Sequence, residues 1–268
     1  MKISATISLQ RTKFEAVAPV KDLEAELARV AGWGYDGVDL AIREPSSVDP
    51  TEIAQLVGKY GLTVPAIGTG QAYVEEGLSW TDPDEGVRQR AIARIQEHVA
   101  FAKELDALVI IGLIRGEAGE SELLADALST CEATARDHGI RLVIEPINRY
   151  ETTLINDVEE ALKLIEAVDS EAIGVLFDTF HANIEEPSMV GSVRKTGGRL
   201  WHVHLADSNR WPPGYGHLDF AEVIGALQEI GYTDFLSIEA LPKPDPATGL
   251  AHAAKYLNRL LKKIEGED

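Results

Sequence analysis

Four residues able to bind a cation or move a proton stand at the C-terminal ends of four successive strand-like runs. Glu145 closes Arg141–Glu145, Asp178 closes Gly174–Asp178, His204 lies in Leu200–Leu205 and Glu239 closes Phe235–Glu239. Successive side chains of a strand point to opposite faces. The face of His204 is then shared by His202, while Trp201, Val203 and Leu205 form an apolar, helix-facing set; Glu239 shares its face with Phe235 and Ser237. All four polar residues can therefore point to one interior. Three carboxylates brought that close repel one another and drive at least one to protonate. A divalent cation removes the conflict, and oxygen ligands with one imidazole suit Mn²⁺, Mg²⁺ or Co²⁺ better than a thiolate-type zinc site. One such residue alone is accounted for as a strand cap or as the partner of a basic loop; four in register on adjacent strands are not. Just beyond them, Glu151, His181 and Arg210 would bring an acceptor, a donor and a fixed cation to loops above the same point.

Positioning these residues needs more strands. Ile3–Ile7, Gly37–Ala41, Thr63–Ile67 and Leu108–Ile111 bring the expected number to eight. The stretches between read as amphipathic helices: Lys21–Trp33, with Leu23, Leu27 and Val30 on one face, then Glu85–Leu105, Ser121–His138, Val158–Val168, Phe220–Ile230 and Thr248–Ile264. Asp49-Pro50, Ser121, Asn156 and Asp219 read as helix starts. Gly34, Gly61, Gly139 and Gly231 read as helix ends. Strand then helix, eight times, with no Pro/Ser-rich linker, predicts an α/β fold: one (β/α)₈ TIM barrel over residues 1–268. A doubly wound open sheet is the alternative, and the count of eight favours the barrel. The long connections Gly68–Glu85 and Ala206–Leu218 follow strands, which places them on the C-terminal face, where barrel active sites lie.

Composition narrows the function classes. The chain has 268 residues, 45% hydrophobic and 26% charged, as in ordinary globular proteins. With 25 Lys+Arg against 44 Asp+Glu, the formal charge is −19. Such a surface repels phosphate backbones and anionic membranes, so neither nucleic acid nor membrane is expected as a partner. A small anionic substrate remains compatible, because a local arginine pair outweighs the global field. The single cysteine, Cys131, has no internal disulfide partner, which fits a reducing compartment. The chain runs directly into Ile3–Ile7 without an apolar leader, and its longest apolar run, near Ala107–Ile114, is too short for a membrane helix. The expected location is the cytoplasm. His202, one layer below His204, reads as a packed or hydrogen-bonded core histidine. Trp33, Trp80 and Trp201 read as core or interface residues, and Lys262–Asp268 as a solvated tail.

Three segments carry a family resemblance. Val143-Ile144-Glu145-Pro146-Ile147-Asn148-Arg149-Tyr150-Glu151, Asp178-Thr179-Phe180-His181-Ala182-Asn183-Ile184-Glu185-Glu186 and His204-Leu205-Ala206-Asp207-Ser208-Asn209-Arg210-Trp211-Pro212-Pro213-Gly214, with Ser237-Ile238-Glu239, resemble the ketose 3-epimerase branch of the sugar isomerase/epimerase family, whose barrel is like that of xylose isomerase. The resemblance spans essentially the whole chain. It implies that Glu145, Asp178, His204 and Glu239 hold one divalent cation, Mn²⁺ first, with Mg²⁺ or Co²⁺ as alternatives. It implies that Glu145 and Glu239 also exchange the substrate proton. Glu151, His181 and Arg210 would grip a keto-sugar near its carbonyl and terminal hydroxyl. It also implies a homo-oligomer, a dimer or tetramer, and no organic cofactor. More narrowly, Ala66-Ile67-Gly68-Thr69-Gly70-Gln71-Ala72-Tyr73 and Val109-Ile110-Ile111-Gly112-Leu113-Ile114-Arg115-Gly116 look like the 5-keto-L-gluconate epimerase subgroup, which interconverts 5-keto-L-gluconate and D-tagaturonate.

The implied chemistry is coherent. A carbon beside a ketone loses its proton reluctantly in water, and a cation on the carbonyl oxygen stabilises the enediolate. One glutamate removes the proton and the other returns one on the opposite face, a form of catalysis worth about 10²–10⁴-fold. The substrate end is more open. Arg43, just past the second strand, and Arg115, just past the fourth, are expected at the mouth, where a guanidinium binds a carboxylate bidentately. Alternatively, Arg43 pairs with Glu44, and Arg115 with Glu117 or Glu120. The subgroup resemblance favours the carboxylate, hence a keto-sugar acid. A neutral ketose 3-epimerase of the D-tagatose/D-allulose type, a hydroxypyruvate isomerase-like enzyme, an inosose dehydratase-like lyase and a non-catalytic sugar-binding barrel are the alternatives. A metal-dependent endonuclease would want a His-rich zinc site and a basic groove, against which the charge of −19 argues. Trp211 either covers the site or packs on its own loop or a neighbouring subunit.

Overall fold

Apolar runs covered on both faces become the strands of a closed, parallel sheet. The computed structural model of the protein describes residues 1–13 and 22–266. Its strands are β1 (Lys2–Ser8), β2 (Gly37–Ala41), β3 (Ala66–Gly68), β4 (Leu108–Ile111), β5 (Leu142–Ile144), β6 (Ile173–Asp178), β7 (Leu200–Leu205) and β8 (Phe235–Ile238). They pair in chain order and β8 closes on β1. The α-helices are α1 (Leu23–Gly32), α2 (Pro50–Lys59), α3 (Gln71–Glu76), α4 (Glu85–Lys103), α5 (Ser121–His138), α6 (Val158–Val168), α7 (Thr179–Glu185), α8 (Met189–Thr196), α9 (Phe220–Glu229) and α10 (Pro246–Glu265). The fold is a single (β/α)₈ barrel.

Departures from the sequence reading have local causes. The expected third strand, Thr63–Ile67, is shorter at its start because Pro65 has no N–H for the ladder, and Thr63 keeps only an isolated bridge to Gly37. Asp157, not Asn156, caps α6, accepting from the Glu160 N–H at 2.8 Å. The connection Gly68–Glu85 carries α3, and the β6–β7 connection carries α7 and α8. Lys21, the first residue of the expected Lys21–Trp33 helix, lies outside the described residues. Of the expected Lys262–Asp268 tail, residues 262–265 continue α10, and 267–268 lie outside the described residues. Among the described residues no helix is long and apolar enough to cross a membrane.

Alternation sorts the strand residues into two sets. Ile3, Ala5, Ile7, Val38, Leu40, Val203, Leu205, Leu236 and Ile238 join the core between sheet and helices. Ala66, Leu108, Ile110, Val143 and Leu176 form a separate apolar cluster on the other face, that of the barrel interior. Ser4, Asp39, His202, His204 and Ser237, all fully buried, alternate with the outward set and so share that interior. One half of the interior is thus apolar, and the other half carries a polar network.

Trp201 overturns its sequence assignment to the helix-facing set. Val175 pairs with Leu200 but Leu176 pairs with His202, so Trp201 is the extra residue of a β-bulge. Its ring packs against the interior apolar cluster. The Arg141 guanidinium covers it at 5.0 Å, and its Nε1–H donates to the Gly198 carbonyl at 3.1 Å. The bulge resets the alternation, so His202 and His204 face inward. Gly174 makes room for the indole: a Cβ there would lie 2.3 Å from a ring carbon. Gly174→Ala is expected to lower stability by about 1–3 kcal/mol through overpacking, measured by urea unfolding. A variant as stable as the wild type would show that the ring has space to move.

Candidate active site and metal centre

Glu145 directly follows β5, Asp178 ends β6, His204 lies in β7 and Glu239 directly follows β8. Four consecutive strands of a barrel deliver neighbouring side chains, and one ligand atom from each lies within 4.8 Å of the others. From His204 Nδ1 the distances are 3.4 Å to Glu239 Oε2, 3.7 Å to Glu145 Oε1 and 4.0 Å to Asp178 Oδ2. Asp178 also caps α7: its Oδ1 accepts from the N–H groups of Phe180 at 2.6 Å and His181 at 3.2 Å. That division leaves Oδ2 for the cluster. Gly112, after β4, leaves room for Glu145, whose Oε2 would lie 2.9 Å from a Cβ there.

Beneath the cluster sits a residue that sequence reasoning missed. Asp39 of β2 is fully buried. Its Oδ2 lies 2.6 Å from His202 Nε2 and 3.3 Å from His204 Nε2, and its Oδ1 accepts from Ser4 Oγ at 3.2 Å. With Nε2–H directed at Asp39, His204 presents Nδ1 to the carboxylates. A carboxylate behind a ligating imidazole fixes its tautomer and raises its basicity. His202 is a hydrogen-bonded core histidine, as expected. The available signal for Asp39 was a lone acid in an apolar strand, Gly37-Val38-Asp39-Leu40-Ala41.

The donor set fits a divalent cation. Glu145 Oε1 and His204 Nδ1 are buried without hydrogen-bond partners among the described residues, and such atoms are costly unless something binds them. Burial, with the Glu145 charge beside it, pushes the Asp178 carboxyl well above the usual carboxylate range. For His204, burial opposes the charge, but Glu239, Asp39 and Glu145 outweigh it and push the imidazole well above its usual range. Burial likewise opposes the Glu239 carboxylate, and His204 and Arg210 overcome it. The cluster thus holds protons against accumulated negative charge, which a cation would displace on binding. The candidate ligands are oxygens and one nitrogen, a set suited to Mg²⁺, Mn²⁺ or Co²⁺.

A cleft of about 490 Å³, including its open mouth, stands over the cluster. Glu145, Glu239, Glu151, His181 and Arg210 all line it. Arg210 Nη1 donates to Glu151 Oε1 at 2.7 Å, and the guanidinium lies 4.9 Å from the Phe180 ring centre. The backbone of Arg210 is left-handed, φ 61°, a conformation unusual outside glycine. It is held by hydrogen bonds at both ends: its N–H donates to the Asp207 carbonyl and its carbonyl accepts from Leu241 N, each at 2.8 Å. Asp207 organises the loop, accepting from the N–H groups of Ser208, Gly214 and Leu218. Asn148 joins the other two residues. Its Nδ2 donates to His181 Nδ1 at 2.7 Å and to Glu151 Oε1 at 2.9 Å. Nδ1 of His181 is therefore the acceptor and Nε2 carries the proton. Burial, with Arg210 nearby, holds His181 neutral, well below its usual pKa. Asn148 and Asp207 lie inside the motifs already quoted, but their side-chain geometry has no sequence signature.

Comparison with known proteins agrees with this geometry. Residues 27–260 match the family model described as a xylose isomerase-like TIM barrel. The chain belongs to that family. Its relatives there include ketose 3-epimerases, the branch the three segments resemble. It is 29% identical over 245 residues to an L-ribulose 3-epimerase of Mesorhizobium japonicum, covering 88% of this chain and 81% of that one. It is 30% identical over 227 residues to a D-psicose 3-epimerase of Enterocloster bolteae, covering 79% and 74%. A solved L-ribulose 3-epimerase superposes with a TM-score of 0.85 at 26% identity, over 99% of this chain and 96% of that one.

Within this xylose isomerase-like barrel, two expected substrate contacts are elsewhere. Arg115 does not point into the mouth. It is 1% exposed, and its N–H groups donate to the carbonyls of Ile111, Gly112, Leu154 and Ile155 at 2.9–3.2 Å. The loops after β4 and β5 bury carbonyls that need donors, and a guanidinium supplies several at once. Burial lowers its pKa to about 10 against the pull of Glu145 and Glu160, so it remains a cation at neutral pH. Arg43 faces Glu76, Nε to Oε1 3.5 Å, rather than Glu44, and does not line the cleft. Trp211 packs on its own loop, 5.7 Å from the Tyr215 ring centre. Asp39→Asn keeps the shape of the buried acceptor but removes its charge. It is expected to weaken Mn²⁺ affinity about 10–100-fold, measured by calorimetry with helix content checked by circular dichroism. Unchanged affinity would reduce Asp39 to a packing role.

Proposed function

We propose that the chain is a divalent-metal-dependent ketose 3-epimerase that inverts the carbon next to the carbonyl of a neutral keto-sugar. The observation that carries this reading is the pair Glu145 and Glu239, which line one cleft from the ends of β5 and β8 and belong to one cluster able to hold a cation. Glu145, Asp178, His204 and Glu239 would hold the ion, proposed as Mn²⁺, Mg²⁺ or Co²⁺. When bound, it supplies Lewis-acid polarisation of the ketone.

The chain's own groups do the rest. One glutamate takes the C3 proton and the other delivers a proton to the opposite face, and the two exchange roles when the other epimer is the substrate. Arg210 favours the ionised form of Glu239, as a base requires, and a cation held beside it would act in the same direction. His181 offers Nε2–H to the oxygen on which charge develops, and its neutrality makes it a hydrogen-bond donor without adding a second positive charge. Arg210, held by Glu151 and Phe180, directs a fixed cation at the same region.

The keto-sugar acid reading that the sequence favoured, 5-keto-L-gluconate to D-tagaturonate, drew on the subgroup resemblance and on Arg43 and Arg115. With neither in the cleft, Arg210 is the only permanent cation lining it among the described residues, and it is paired with Glu151. The relatives named as L-ribulose and D-psicose 3-epimerases point the same way, since both sugars are uncharged.

Proton NMR of the Mn²⁺-loaded protein in D₂O tests the proposal, with D-fructose, L-ribulose and 5-keto-L-gluconate in separate tubes. Deuterium is expected at C3 of a neutral ketose, with turnover at least tenfold faster than on the acid. Glu145→Gln and Glu239→Gln are each expected to slow turnover by about 10²–10⁴-fold. Faster turnover of the acid restores the sugar-acid reading. Absence of exchange in every tube rejects the epimerase reading.

A further inference from the structure

Gln71 opens α3, directly beyond β3 on the C-terminal face, and is 2% exposed while lining the cleft. The two ends of its amide are distinguishable. Nε2 lies 2.7 Å from Ser8 Oγ. The Ser8 hydroxyl hydrogen is committed to the Gln10 carbonyl at 2.6 Å, so Ser8 can only accept from Gln71. That relay fixes nitrogen towards Ser8 and oxygen away from it. The oxygen, Oε1, is buried and has no hydrogen-bond partner among the described residues. An unpaired buried amide oxygen is the exception in folded proteins and calls for a missing donor.

The rest of this wall offers little else to a substrate. Thr69 has committed its hydroxyl hydrogen to the Ile110 carbonyl at 2.7 Å. Its neighbours in the lining are Ala41, Gly68, Gly70 and Leu113, which carry no polar side chain. Glu151, His181 and Arg210, the polar groups above the cluster, come from the segments after β5, β6 and β7 respectively. A ketose held there by its carbonyl end has its remaining carbons to place against the β2–β4 side.

We infer that Gln71 is a substrate-binding residue whose Oε1 accepts a hydrogen bond from one hydroxyl of the ketose beyond C3, with Ser8 and Gln10 fixing the amide for that purpose. The inference rests on the epimerase reading of the same cleft. It adds a selection rule: the tail must present a donor at this point, so a hydroxyl is accepted and a carboxylate is repelled by the amide oxygen. A site built to bond a hydroxyl discriminates strongly against the analogue lacking it, because its own polar group is then left unpaired.

The 4-deoxy, 5-deoxy and 6-deoxy forms of the best neutral ketose, given to Mn²⁺-loaded wild type, Gln71→Leu and Gln71→Glu, provide the test. The wild type is expected to lose at least tenfold in kcat/KM on one deoxy compound. Gln71→Leu should lose at least tenfold on the intact ketose and treat that deoxy compound within threefold of it. Gln71→Glu, which keeps an acceptor, should retain the discrimination. Mn²⁺ affinity, read by calorimetry, should be unchanged in both variants, which shows that the fold and cation site are intact. Equal treatment of all deoxy compounds by the wild type overturns the inference even if a variant fails to fold. So does a deoxy penalty that survives in Gln71→Leu. Wild type inactive on every intact ketose overturns the epimerase reading, and the inference with it.

Discussion

Glu145, Asp178 and Glu239 converge in a buried space where water screens them poorly, and much of the surrounding structure answers that repulsion. Asp39 directs the far side of His204, so that the imidazole offers its other nitrogen to the carboxylates. Arg210 places a cation above them and Arg115 another close by, each within electrostatic reach of Glu145. Asp178 gives one oxygen to two backbone N–H groups and keeps the other for the cluster. Each arrangement lowers the cost of collecting negative charge at the end of a closed sheet, and a bound cation would complete the compensation.

The barrel and the convergence of its candidate site residues were legible in the sequence because they follow from periodicity. Eight apolar runs separated by amphipathic stretches leave few topologies, and a polar residue at the end of four successive runs states its own position. The same reasoning failed where the period slips. At Trp201 a single inserted residue sends a large ring to the opposite face. At Pro65 a missing N–H shortens a strand that composition alone would have drawn longer.

Side chains whose partners are backbone atoms were the least legible. Arg115 looked like a ligand for a carboxylate and instead serves four carbonyls of neighbouring loops. Asp207 organises a loop through three N–H groups, and Asn148 sets the tautomer of His181 through one side-chain nitrogen. These assignments depend on which buried backbone groups lack partners once the loops have closed. That quantity is a property of the folded chain, and residue types carry no record of it. Asp39 differs: its isolation among apolar neighbours was visible, but its meaning depended on how β2 faces β7 across the interior.

The polar half of the interior has a bearing on how such a barrel can diversify. All four candidate cation ligands come from β5 to β8, whereas Gln71 and the wall beside it come from the stretch between β2 and the turn after β4. On the proposed reading, proton transfer and sugar choice are written in different halves of the chain. Drift or recombination in the first half can retune which sugar fits while the proton-transfer apparatus is inherited untouched. Asp39 is the tether between the halves: it resides in the first and supports His204 of the second. Any exchange of half-barrels between relatives has to carry that carboxylate across, or the transplanted histidine loses its support.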